Sequence, residues 1–290
     1  RKLVGSGPGF LLESLGGGER AGRYSYVGAQ PVRELVCTLQ GSWIRHRQDP
    51  VERTQPAPAD PFKALRAFVP RRPTLSSLPF AGGAVGYMGY DAVRFLERLP
   101  RQPGAQPELP VARFMECALL AVLDHVRHEW TLLAPVLDTG DGPEAARARA
   151  AARLRNALER LGADVGGRPL VLGAAVADAV PAEAGDGAGV DGLPVRSNVD
   201  EATFVAAVRK AQDYIRAGDV FQVVLSRRLE FPWPGSPAGP EDVDLYRSLR
   251  AVSPSPYMFF LRFDGETALL GASPELLVQV RGRTAMTRPL

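Results

Sequence analysis

Three stretches of this chain gather side chains able to do chemistry. The first is Asp219-Val220-Phe221-Gln222-Val223-Val224-Leu225-Ser226-Arg227, whose length and β-branched content predict a buried strand. Alternation sets Gln222 on one face with Val220, Val224 and Ser226. A primary amide buried without partners costs about 1–3 kcal/mol, so either the protein's own groups satisfy Gln222 or a ligand does. The second stretch, Ser253-Pro254-Ser255-Pro256-Tyr257-Met258, carries two prolines that fix φ and bias the residues before them toward extended backbone. That makes either a rigid presentation of Tyr257 and Met258 to a ligand or a plain helix-to-strand turn. In the third, Gly271-Ala272-Ser273-Pro274-Glu275, small residues end a strand and a single carboxylate follows a proline. A dry setting there would raise the Glu275 pKa and suit a general acid; an exposed turn glutamate is the other reading.

Two further stretches exclude chemistry more than they suggest it. Gly82-Gly83-Ala84-Val85-Gly86-Tyr87-Met88-Gly89-Tyr90-Asp91 has neither the order of a dinucleotide loop nor a following Lys-Ser/Thr, and reads as a glycine-lined strand with closely packed aromatics. His125 and His128 stand three apart in a turn region with no third ligand nearby, so solvated imidazoles are expected rather than a metal site.

The elements that must hold these residues follow from periodicity and punctuation. Arg23–Val27, Glu34–Leu39 and Ser42–Ile44 are short β-type runs, and Ala118–Leu123 with Trp130–Leu133 suggests two strands joined by a polar turn. Asp60 followed by Pro61, with Phe62, Leu65 and Val69 on one side, predicts a short amphipathic helix over 60–69. A second helix is expected over 141–161, opened by Asp141-Gly142-Pro143-Glu144 and striped by Leu154, Leu158 and Leu161. Residues 163–194 are rich in Gly, Ala, Asp and Pro and read as a connector. Beyond it, Asn198 to Glu201 offers caps for a helix that carries Phe204, Ala207, Val208, Ala211 and Ile215 on one face and ends at Gly218. A last helix over 244–252 aligns Leu245, Leu249 and Val252, and Asp264-Gly265 joins two strands as a hairpin. Strand runs with helices set to one side imply an α+β fold of antiparallel sheets with helices on the outside. The expected division is 1–138, a helix and variable linker over 139–197, and 198–290.

Composition bounds the function classes. The chain has 290 residues, 45% hydrophobic and 23% charged, so it can bury a core, and Gly 30 with Pro 26 is too little for a disordered or collagen-like chain. A net charge of +3 without a basic stripe gives weak support for nucleic-acid binding. Cys37 and Cys117 lie far apart and outside any CxxC spacing, which suggests neither a disulfide framework nor zinc and fits a reducing compartment. No apolar run reaches the roughly 18 residues of a spanning helix, and a cytoplasmic protein is expected. The chain opens on Arg1 and stops at Arg288-Pro289-Leu290 directly after a strand-like segment, which leads to the expectation of a fragment, incomplete at the C-terminus.

Taken together, Phe10-Leu11-Leu12-Glu13-Ser14, Gly22 to Gly28, Gly82 to Tyr87, Asp219 to Ser226, Pro254 to Met258 and Gly271 to Glu275 stand in the order seen in the anthranilate synthase component I family. The resemblance covers nearly the whole chain outside 139–197. It implies an enzyme that adds ammonia to chorismate, loses the ring hydroxyl with Mg²⁺ help and eliminates pyruvate to give anthranilate. Ammonia would come from a glutamine amidotransferase subunit. Related enzymes that add water carry a Lys at the place of Gln222; a neutral amide there suits ammonia, which needs no deprotonation. Glu275 matches the family's carboxylate and is implied as the general acid. The family's L-tryptophan feedback site matches Glu13, Ser14, Pro256, Tyr257 and Met258. The family's Mg²⁺ ligands are expected beyond residue 290, so this chain alone is expected to be inactive. Aminodeoxychorismate synthase component I and a non-catalytic tryptophan-binding fragment are the alternatives.

Overall fold

The computed structural model describes residues 2–15, 22–47, 53–69, 78–99, 109–137, 140–163, 195–231 and 242–287. The expected connector over 163–194 and the terminal residues 288–290 lie almost wholly outside them. The chain divides into two compact units, Arg1–Val165 with Asp242–Leu290, and Gly166–Glu241. This differs from the division expected at 138 and 198, because the strands at Tyr257–Arg262 and Ala268–Ser273 hydrogen-bond into the sheet built by the first part of the chain.

That sheet is antiparallel throughout and is organised by two long strands. β2 (Tyr24–Cys37) and β6 (Ala112–Asp124) pair along their length. On its other edge β2 takes β1 (Gly9–Glu13) at one end and β3 (Ser42–His46) at the other, with β4 (Arg53–Ala57) beyond β3. The free edge of β6 is likewise shared by β5 (Ala84–Met88) and β7 (Glu129–Leu133). The two runs expected at 23–27 and 34–39 are thus one strand, bent by a bulge at Pro31 to Arg33 with Gln30 at φ 57°. A bulge lets one strand change direction without ending its ladder. β5 is the glycine-lined strand expected: a Cβ on Gly86 would lie 1.9 Å from the Arg113 carbonyl oxygen, so only glycine permits the β5–β6 approach.

Helices cover the sheet, as an α+β architecture requires. α1 (Pro61–Phe68) starts where Asp60 accepts from the Phe62 and Lys63 amides at 2.8 and 3.2 Å, and it buries Ala64 and Phe68 beside Leu35, Cys37 and Ile44. α2 (Pro143–Gly162) differs from expectation on two points. Gly142 gives no side-chain cap, Asp141 binding Arg149 instead, and the most buried residues are Ala146, Ala150 and Ala157, with Leu154 and Leu161 of the expected stripe packed beside them and partly buried. Alanine lets the helix lie close to the sheet, so Leu158 is left outside.

Charges are buried where the strands cross. The Glu34 carboxylate, 1% exposed, accepts from Arg113 at 2.5 Å and Arg47 at 2.6 Å, while Arg113 also reaches Asp264 at 2.8 Å. Alongside, Arg33 donates to Glu116 at 2.6 Å. Pairing compensates the desolvation of each group, and the network ties β2, β6 and the turn after β10 together.

The second unit is described over 195–231. α3 (Glu201–Ala217) is capped by Asp200, which accepts from the Thr203 amide at 2.7 Å, and ends at Gly218 with φ 81°, as its sequence implied. β8 (Arg196–Ser197) and β9 (Leu229–Glu230) form a two-residue ladder. The buried strand expected over 219–227 is not formed: residues 222–228 belong to no ladder, and Phe221 to Arg228 are exposed. Strand propensity describes a backbone ready to pair, and the described residues of this unit offer that stretch no partner edge.

Candidate functional site

The most closely built constellation lies where β1 ends. α4 (Asp242–Val252) leads through the proline-rich segment into β10 (Tyr257–Arg262), which pairs antiparallel with β1 on one side and β11 (Ala268–Ser273) on the other. The register sets Glu13 opposite Met258 and Tyr257 opposite Ser273. Leu15 donates its amide to the Ser255 carbonyl at 3.0 Å, which carries the contact past the strand ends. Residues about 240 apart in the chain are therefore neighbours: Glu13 and Ser14 with Pro256, Tyr257 and Met258.

Residues opposite one another in an antiparallel pair share a face, so Glu13 and Met258 point to the same side, toward α4. Met258 is 1% exposed and packs with Tyr246 and Phe260, whereas Tyr257, on the other face, is 40% exposed. The rigid segment thus presents one of its two large side chains and sinks the other.

α4 is fixed over this face at its start. Arg262 of β10 donates to both carboxylate oxygens of Asp242, by Nε at 2.7 Å and by Nη2, and its Nη1 reaches the Gly5 carbonyl at 2.9 Å. The helix then buries Tyr246 and packs the partly buried Val243 and Leu249 beside it, a face that keeps Leu249 of the expected Leu245, Leu249 and Val252 and leaves Val252 exposed. Two residues that the sequence reading passed over follow from this. The Tyr246 hydroxyl donates to Glu13 Oε2 at 2.8 Å, and Arg250 Nε reaches the same oxygen at 3.2 Å. Their i, i+4 spacing on a helix was the available signal; the distant carboxylate they serve was not. Burial, then the bond to Glu13, pushes the Tyr246 hydroxyl above its ordinary pKa, so it remains a donor at neutral pH. Two residues along β1, a small apolar cavity of about 70 Å³ is lined by Leu11, Val27, Val243 and Phe260 with Arg262 at its edge.

The two candidate catalytic residues stand in different units of the chain. Glu275 follows β11 in an exposed turn, where Ser273 Oγ donates to the Glu275 carbonyl at 3.1 Å. The dry setting that would suit a general acid is not present at this position. Gln222 belongs to the second unit, on the exposed stretch without a ladder. The Gly271 that precedes the turn has a packing role: a Cβ there would lie 2.4 Å from the Phe259 ring across the pair.

Among the described residues no group of three or more His, Cys, Asp or Glu could hold a metal ion. His125 is exposed and its Nε2 lies 2.8 Å from Ser25 Oγ. Both thiols are unpaired, with pKa values raised by burial, which makes them poor nucleophiles. No helix among the described residues is long and apolar enough to cross a membrane.

Comparison with known proteins gives the constellation its context. The chain is 41% identical over 97% of its length to anthranilate synthase component 1 of Streptomyces coelicolor and 40% identical over 97% to that of Cereibacter sphaeroides. It spans 48% and 53% of those two proteins, about half of each. The structure of anthranilate synthase component I from Streptococcus pneumoniae matches 92% of this chain and 55% of its own, with a TM-score of 0.64 at 25% identity. The family model described as chorismate binding enzyme matches residues 11–290, nearly the whole chain, and the chain therefore belongs to the chorismate-binding enzyme family.

Proposed function

We propose that this chain serves an anthranilate synthase component I, in which chorismate and ammonia give anthranilate, pyruvate and water, and that L-tryptophan inhibits the reaction from the site at Glu13 and Tyr257. The observation that carries the reading is the 41% identity over 97% of the chain to a protein of that name. The ladder that makes Glu13 and Met258 neighbours supports the tryptophan site. A partly buried carboxylate suits an ammonium, and an exposed Tyr257 beside Pro256 suits an indole face.

In this reading Gln222 leaves ammonia as the nucleophile because an amide cannot serve as base toward water. Glu275 supplies the proton to the departing ring hydroxyl. Mg²⁺ and an ammonia-supplying glutamine amidotransferase subunit complete the system, which acts in the cytoplasm. The β10–β11 ladder offers a route of influence, since Tyr257 pairs with Ser273 two residues before Glu275. The chain spans about half of its relatives, so by itself it is expected to form no anthranilate from chorismate, ammonium and Mg²⁺. Anthranilate fluorescence in that mixture would contradict this.

The direct test is calorimetric titration of the chain with L-tryptophan. Saturable binding that is lost in Ser14→Leu supports the reading. Absence of binding, or binding indifferent to Ser14→Leu, overturns the assigned site. In an active assembly that contains this chain, Gln222→Lys should divert product toward a hydroxylated ring compound, and unchanged product would remove Gln222 from its role.

A further inference from the structure

We propose that Arg250 binds the carboxylate of the ligand at the end of β1, so that Glu13 and Arg250 form a matched pair for the ammonium and carboxylate of one α-amino acid. This rests on the amino-acid reading above and adds to it a specificity residue outside the segments that suggested the site.

The geometry begins with α4. Arg262 clamps the helix start through Asp242, and Tyr246 packs into the cluster with Met258 and Phe260, so the last turn is delivered beside Glu13. Tyr246 and Arg250 stand one turn apart on the same side of the helix. They divide the work. Tyr246, 1% exposed, fixes Glu13 Oε2 from below, while Arg250 approaches the same oxygen at 3.2 Å with a side chain 45% exposed.

The manner of that approach matters. Among the described residues the bond recorded for Arg250 uses Nε, and the two Nη groups, the fork that recognises a carboxylate in two parallel bonds, are not engaged by it. Glu13 in turn receives both recorded donors on Oε2. An anion acceptor and a cation acceptor thus sit in contact at the surface, each with a part of its polar edge unspent. The ammonium and carboxylate of an α-amino acid hang on one carbon, so a protein that grips both must place its own opposite charges side by side. Glu13 and Arg250 do so, and Tyr246 keeps the carboxylate from turning away.

The test separates the two ends of the ligand. The chain, its Arg250→Gln and its Arg250→Lys variants are titrated calorimetrically with L-tryptophan and with tryptamine, which keeps the ammonium and lacks the carboxylate. Arg250→Gln is expected to weaken L-tryptophan by about tenfold and tryptamine by no more than about twofold, with Arg250→Lys restoring part of the loss. Equal weakening of both ligands reduces Arg250 to a support for Glu13 and overturns the proposal, as does unchanged L-tryptophan affinity in Arg250→Gln. Failure of the unaltered chain to bind L-tryptophan instead overturns the amino-acid reading beneath it.

Discussion

Two stretches of this chain have much the same strand propensity and opposite fates. Tyr257-Met258-Phe259-Phe260-Leu261-Arg262 is paired on both edges, by β1 and β11, and buries Met258, Phe260 and Leu261. Val220-Phe221-Gln222-Val223-Val224-Leu225, as apolar and richer in β-branched residues, joins no ladder, and Val224 is 82% exposed. A strand is a relation between segments, and β10 has partners on both sides where the other stretch has none among the described residues. The site residues divide along the same line: Glu13 and Met258 are set by a register, whereas Gln222 is carried on backbone that no register fixes.

That contrast is open to test. Its largest expected consequence concerns the buried charges that lock β2 to β6: Glu34→Ala leaves Arg113 and Arg47 without their carboxylate and should cost about 3–5 kcal/mol in denaturant unfolding. A loss below about 1 kcal/mol would mean that the network contributes little to the sheet. Next, Met258→Ala should cost about 2–5 kcal/mol and Val224→Ala less than about 0.5, read from the same unfolding curves. Similar values for the two would erase the distinction. The smallest effect is a pH dependence. The bonds that Arg23 donates from Nε and Nη2, assisted by the Val126 and Arg127 amides, hold the Asp124 carboxyl at about 2, below its ordinary value. The ionised form is therefore the stabilising one, complete above the ordinary carboxylate range and lost as pH falls through about 2. Unfolding midpoints measured between neutral pH and this value should decline, with a shallower decline in Asp124→Asn. An identical slope in the variant would remove Asp124 as a cause.

Local signals were legible in the sequence and distant ones were not. Asp60 caps α1 as expected, Asp200 is the member of the 198–201 stretch that caps α3, and Gly218 ends α3. The Asp264-Gly265 hairpin also forms, though its turn is longer than two residues, with the Asp264 carboxylate accepting from the Glu266 and Thr267 amides at 3.0 and 2.6 Å. These depend on groups within a few residues of one another. The α4 face was misread by one position, because its choice between Leu245 and Tyr246 is made by Met258 and Phe260 on another element. Glu13 entered only through a likeness of motifs; Tyr246 and Arg250 did not enter at all.

The sequence by itself determined the α+β class, the capped helices, the glycine-lined β5 and the set of motifs that mark the chorismate-binding family. Each rests on spacings of two to four residues or on short strings. The tertiary structure alone decided that β1 lies against β10, that Glu13 meets Met258, and that one turn of α4 brings Tyr246 and Arg250 to the same carboxylate oxygen. Such contacts close loops of more than 200 residues, and their register is chosen by the packing of whole faces, which no local pattern records.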